Sequence, residues 1–254
     1  MGLFSRSSGS GAASEAANEP LTSRPSPVLP SALSLPLFDK LREKHVVLAS
    51  ASPRRIDILR TLGLEPRVVP SNFPELLSHA DFDEPGQYCV ATATAKAVEV
   101  YEKLVKEAPE DPPDLVIGAD TIVVLPGQTP TILEKPNNEQ DQLNMLQDYN
   151  GQTISVITAV TLVQPQIASP GYSLASLVNE TKVEFADNSL ELLKAYVKCG
   201  EGLDRAGGFA IQGRGGMLIR QIKGDYNNCV GFPGQAFFDW LSQLHADGTL
   251  CVMD

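Results

Sequence analysis

Short apolar runs alternate along this chain with stretches whose hydrophobic residues recur every three or four positions, a pattern that predicts an α/β fold. His45 to Ala49 reads as a short buried strand, and Ser50-Ala51-Ser52-Pro53 turns it into a helix carrying Ile56, Leu59 and Leu62. Ser52 suits the N-cap, and Pro53 suits the first helical position, where a missing N–H costs nothing. Gly63 suits the residue just past the helix end. A second helix is expected from about 86 to 105, with Val90, Ala97, Tyr101 and Leu104 on one face and Thr92, Lys96, Glu99 and Lys103 on the other.

A linker rich in proline and acid covers 108–114. Leu115 to Gly118 then reads as a buried strand, broken at Ala119-Asp120-Thr121 and resumed from Ile122 to Leu125. Asn138 or a neighbour caps a helix that runs through Leu143 and Leu146 to Tyr149 and is ended by Gly151. Gln152 to Val163 alternates like a strand. The polar stretch 164–177 reads as a surface loop, followed by a strand from Thr181 to Phe185 and a helix from Ser189 to Lys198. Glycine-rich residues 207–216 precede a strand from Met217 to Ile222, and Phe237, Trp240 and Leu241 mark a last helix. No internal repeat and no second domain of independent size is visible.

Composition narrows this picture. With 254 residues, 43% of them hydrophobic, the chain can bury a substantial core in one domain of roughly 200 residues, read here as 37–254. Residues 1–36, rich in Ser, Ala and Pro, read as a disordered tail without the charged and apolar regions of a secretory signal. Met1-Gly2 suggests myristoylation, but Arg6 stands where that motif wants Ser or Thr. The apolar runs are far shorter than the roughly 20 residues of a membrane-spanning helix, so no membrane contact is expected. Cys89, Cys199, Cys229 and Cys251 are widely spaced, with no CxxC pair and three histidines in the whole chain. That pattern argues against structural zinc or a disulfide framework and fits a reducing, cytoplasmic setting. The formal net charge is −11, to which the tail adds nothing because Arg6 and Arg24 offset Glu15 and Glu19. An acidic body is a poor partner for nucleic acid polymers, and an anionic small ligand would need a local cluster of cations or a metal.

Several positions are candidates for such chemistry. Ser50-Ala51-Ser52-Pro53-Arg54-Arg55 puts N–H groups, hydroxyls and two guanidiniums at a positive helix terminus, suited to phosphate; the alternative is a pair of surface arginines bonded to carboxylates. Asp120, at the expected strand break, suits metal binding or proton acceptance, or else is a turn-forming aspartate. Lys96 and Lys135 are candidate phosphate ligands or solvated lysines, and Glu75 is a candidate metal ligand or a surface acid. In the run from Asp204 to Gly213, the glycines allow close backbone approach, and the Gln212 amide can both donate and accept as a uracil or thymine edge requires; the alternative is a glycine-rich bend. P-loop, dinucleotide-fingerprint, nucleophile-elbow and HExxH motifs are absent from the sequence.

Taken together, L-A-S-A-S-P-R-R, I-G-A-D-T, E-K-P, D-R-A-G-G-F-A-I-Q-G and V-G-F-P, in this order, resemble the Maf family over about residues 45 to 244. The resemblance implies a Maf/ITPase-like mixed sheet in two lobes around a deep nucleotide-binding cleft, and a nucleoside-triphosphate pyrophosphatase dependent on Mg²⁺ or Mn²⁺. It implies that Asp120 accepts the proton and that Ser50, Arg54, Arg55, Lys96 and Lys135 line the triphosphate pocket. Arg54, Thr121 and Gln212 match positions associated with substrate choice in the dTTP/UTP branch, and Glu75, with Asp120, would hold the metal. The chain departs from the family pattern at Arg205, where Lys is usual, and at Phe209, Ala210, Cys229, Phe232 and Gly234. The implied function is hydrolysis of dTTP, UTP or modified pyrimidine triphosphates to the monophosphate and pyrophosphate, cleaning the nucleotide pool, in a homodimer. Rivals are a non-catalytic nucleotide-binding regulator and a phosphatase that releases orthophosphate.

Overall fold

A computed structural model describes residues 35–74, 76–127 and 129–250. A seven-stranded mixed sheet forms its middle, in the order β2-β1-β3-β5-β6-β7, with β4 paired to β3. The strands are β1 Val46–Leu48, β2 Arg67–Val68, β3 Leu115–Leu125, β4 Thr131–Leu133, β5 Thr153–Pro165, β6 Tyr172–Phe185 and β7 Ile219–Lys223. The helices are α1 Pro36–Arg42, α2 Pro53–Thr61, α3 Pro85–Glu107, α4 Glu139–Asp148, α5 Leu190–Lys198, α6 Tyr226–Val230 and α7 Gly234–Ala246. Of the expected tail, residues 1–34 lie outside the described residues. Pro36 opens α1, which buries Leu37, Phe38 and Leu41 beside β1, α2 and α7.

The local signals hold where they depend on a few neighbouring residues. Ser52 is the N-cap of α2 with Pro53 at its first position, although the Ser52 hydroxyl makes no capping bond. The side chains of Asn138 and Ser189 cap α4 and α5 by accepting from Asp141 N and Leu192 N. Gly63 and Gly151 take positive φ angles of 91° and 68° just past their helices.

Three expectations fail, each for a reason of pairing or packing. β3 is not broken at Ala119-Asp120-Thr121; it runs unbroken for 11 residues because β5 pairs with it across that stretch, Asp120 opposite Ala159. Most of the expected loop 164–177 is strand: β5 continues to Pro165 and β6 begins at Tyr172, paired residue by residue back to Thr153–Glu184. Its alternation was weak because, among the described residues, the segment from Tyr172 to Thr181 has no second neighbouring strand, β7 reaching only Lys182 to Phe185. On α3, Thr92 is buried and Val90 only half-buried, since Tyr88, Cys89 and Ala93 face the sheet with Ala97.

The detail that positions the site is the edge of β3. Opposite β5, that edge is shared: β1 pairs with Leu115 to Ile117, and β4 with Val123 to Leu125. From Gly118 to Ile122 no strand among the described residues covers it, so the sheet is split there while the strand itself continues. α3 crosses the same region at unusually short range. A Cβ placed on Gly118 would lie 2.4 Å from Ala93 O and 2.7 Å from Ala97 Cβ, so glycine is what lets helix and strand touch.

Candidate active site

The split in the sheet is the wall of a cavity of about 360 Å³. The strand-to-helix turn after β1, the bare edge of β3, α3, the segment after β4 and the glycine-rich segment all reach it. Ser50, Arg54, Arg55, Lys96, Asp120, Thr121, Lys135 and Gln212 all line it, drawn from positions up to 162 residues apart in sequence. Glu75 lies outside the described residues.

Asp120 and Thr121 point to opposite faces of β3, as successive strand residues must. On the α3 face, Lys96 Nζ donates to Asp120 Oδ1 at 2.8 Å, with the two side chains only 12% and 10% exposed. This is a buried ion pair held by the close approach at Gly118; Lys96 is not the solvated lysine that its position on the helix permitted. Cys89 Sγ sits below, 3.3 Å from Asp120 O and 3.8 Å from Asp120 Oδ2. Burial, and secondarily the Asp120 charge, push this thiol far above its usual range, so it remains a neutral donor.

On the other face, Arg55 forms a bracket between three elements. Its Nη1 donates to Ser50 Oγ at 3.0 Å, its Nη2 to Thr121 Oγ1 at 3.2 Å and its Nε to Gly231 O at 3.0 Å. Thr121 Oγ1 is also 3.0 Å from Thr158 Oγ1. Arg54, one residue earlier, takes a different role beside Arg205 and Asp204. Its guanidinium is held below its usual range chiefly by burial, then by the Arg205 charge, against the opposing pull of Asp204. Two like charges kept together in a half-buried wall favour an anion between them.

Sequence reasoning passed over several lining residues. Glu134 Oε1 lies 2.9 Å from His79 Nε2, and His79 packs edge-on against Tyr88 with ring centroids 4.4 Å apart. Asp204 and Arg205 pair at 3.3 Å beside Phe209 and Gln212. The only signal for them was a charged pair abutting glycines. The glycine-rich segment is not a bend in the sheet but a separate wall packed on it, with Gly207 at φ 70° and its missing Cβ some 3.0 Å from Val123 Cγ1.

Among the described residues, five cationic side chains (Arg54, Arg55, Lys96, Lys135, Arg205) and three carboxylates (Asp120, Glu134, Asp204) line the cavity. A locally cationic pocket in a chain of net charge −11 is a local feature suited to an anion, not part of a general basic surface. The three carboxylates are hard oxygen donors of the kind that Mg²⁺ and Mn²⁺ take. Among the described residues no three His, Cys, Asp or Glu form a ready cage. Mg²⁺ is commonly held by one or two carboxylates with substrate phosphates completing its shell, so the residues present fit such an ion.

Fold and site thus define an α/β protein with a cavity lined mainly by cationic side chains and a paired carboxylate set into its wall. The chain belongs to the Maf family: the model of Maf-like proteins matches residues 45–244. It is 46% identical over 214 residues to a human protein named "Probable bifunctional dTTP/UTP pyrophosphatase/methyltransferase protein", covering 83% of this chain and 34% of that relative. The chain thus spans about a third of the human protein's length. A dTTP/UTP pyrophosphatase of Schizosaccharomyces pombe is 42% identical over 85% of this chain and 90% of its own length. One from Thermococcus kodakarensis is 39% identical over 74% and 90%.

Proposed function

We propose that this chain hydrolyses dTTP, UTP or closely related pyrimidine triphosphates to the nucleoside monophosphate and pyrophosphate. The observation that carries this reading is the buried Lys96–Asp120 pair in the split of the sheet, surrounded by cations suited to a triphosphate. The names of the relatives point to the same substrates.

In this reading Arg54, Arg55, Ser50, Lys96 and Lys135 bind the phosphate chain, and the pocket orients the α-phosphorus beside β3. A water attacks that phosphorus, its proton passes to Asp120 at the oxygen not held by Lys96, and the α–β bridging bond breaks. Pyrophosphate leaves with the bridging oxygen, its charge met by the guanidiniums and ammonium groups. Asp120 and Glu75 would hold Mg²⁺ or Mn²⁺, which when bound supplies charge neutralisation on the triphosphate. Arg54, Thr121 and Gln212 choose the base, the Gln212 amide facing the uracil or thymine edge. A homodimer in the cytoplasm belongs to the same proposal.

The test incubates the protein and a divalent cation with a panel of triphosphates, separating nucleotide products and assaying pyrophosphate and orthophosphate independently. Monophosphate with stoichiometric pyrophosphate from dTTP or UTP, abolished in Asp120→Asn, is expected. Orthophosphate instead would point to a phosphatase, and tight binding without turnover to a regulator.

A further inference from the structure

The segment from Glu201 to Gly216 has no strand and only two 3₁₀ turns, Ala206–Gly208 and Arg214–Leu218, the second running on into β7. It nevertheless supplies Asp204, Arg205, Phe209 and Gln212 to the cavity. Backbone without a ladder must satisfy its polar groups otherwise. In the first half, fully buried Gln142 donates through Nε2 to Glu201 O at 2.7 Å and to Gly208 O at 2.8 Å, and the Tyr149 hydroxyl donates to Gly207 O.

The second half is held by the carboxylate of Glu201. Oε1 accepts from Arg214 N at 3.2 Å and Oε2 from Gly215 N at 2.9 Å. The buried Tyr196 hydroxyl accepts from Ala210 N at 3.0 Å beside the same carboxylate. Burial opposes the ionised carboxylate, but the Gly215 and Arg214 N–H groups outweigh it and hold the group below its usual range. Gln212 sits between the two anchor points, Ala210 and Arg214. Its side chain is exposed, so its direction depends on the backbone beneath it. The turn is wound tightly enough that a Cβ on Gly213 would lie 2.1 Å from Glu201 Oε1.

We propose that Glu201 is a positioning residue that fixes the turn bearing Gln212 and, through it, the grip on the pyrimidine base. This rests on reading the cavity as a pyrimidine triphosphate site. Two substitutions disturb the bracket from opposite sides. Glu201→Gln leaves one acceptor oxygen for two N–H donors at unchanged size. Gly213→Ala leaves Glu201 chemically intact but pushes its carboxylate off those donors.

Steady-state hydrolysis of UTP by the full chain, with product inhibition by pyrophosphate, reads the result. Each variant is expected to raise KM about tenfold with kcat near the parent value, the signature of lost uniform binding. Inhibition by pyrophosphate, which uses only the phosphate contacts, should not change. In combination with Gln212→Ala, neither variant should add to the loss that Gln212→Ala causes alone. An unchanged KM, losses that multiply, or pyrophosphate inhibition that weakens in step with KM would each overturn the proposal. A parent chain that forms no monophosphate and pyrophosphate from UTP would overturn the underlying reading, and the inference with it.

Discussion

Gly118→Ala is the smallest change that separates α3 from β3. Glycine here is a matter of space, since its φ is not positive. The new methyl would sit 2.4 Å from Ala93 O, 2.7 Å from Ala97 Cβ and 3.1 Å from Ala97 N. An ordinary contact begins near 3.4 Å, so helix and strand must part by about 1 Å. The carbonyl belongs to the helix backbone and cannot rotate away. Overpacking of this kind costs about 1 to 3 kcal/mol, roughly 2 to 12 °C in Tm for a chain of this size. The same movement draws Lys96 from Asp120, whose 2.8 Å bond would stretch beyond hydrogen-bonding range. A misplacement of about 1 Å costs on the order of 100-fold in turnover. Thermal unfolding and kcat for dTTP measured on one preparation test both effects. Ala97→Gly in the same background removes the methyl-to-methyl contact but leaves the carbonyl contact, so it should recover little. If Gly118→Ala matched the parent in Tm and kcat, or if Ala97→Gly restored both, contact with the Ala93 carbonyl would not be what sets the site.

On the proposed reading Arg54→Ala removes a charge-assisted phosphate contact and should lower kcat/KM by about 10- to 150-fold, corresponding to about 1.5 to 3 kcal/mol; an unchanged value in steady-state kinetics would place Arg54 outside the phosphate path. Tyr149→Phe leaves the buried Gly207 carbonyl without its donor and should destabilise the fold by about 1 to 3 kcal/mol in urea unfolding, a loss absent if water replaces the hydroxyl. Burial, then Asp225, pushes the Cys229 thiol from 9.0 up to about 12. Its folded value is the raised one, so the stability it contributes is complete below pH 9 and declines as pH rises from 9 towards 12. Cys229→Ala should flatten the fall of Tm across that window, and equal slopes in parent and variant would contradict this.

What the chain settled by itself is local. Caps at Ser52, Asn138 and Ser189 and stops at Gly63 and Gly151 depend on residues within one or two turns, so they were legible in order. The motif set named the family, and Ser50, Arg54, Arg55, Asp120, Thr121, Lys135 and Gln212, all within those motifs, do line one cavity. Tertiary structure decided the rest. Whether β3 breaks at Asp120 depends on Ala159, and whether 172–181 is loop or strand depends on the facing half of β5. Asp120 is a site residue because β1 and β4 leave the strand edge bare and Gly118 admits α3, not because a strand ends there. Glu134 and Arg205 gain their surroundings only when segments far apart in sequence close on one cavity. Caps and periodicity are interactions along the chain, while strand pairing, buried charge pairing and close approach are interactions across it, and no local pattern encodes the partner.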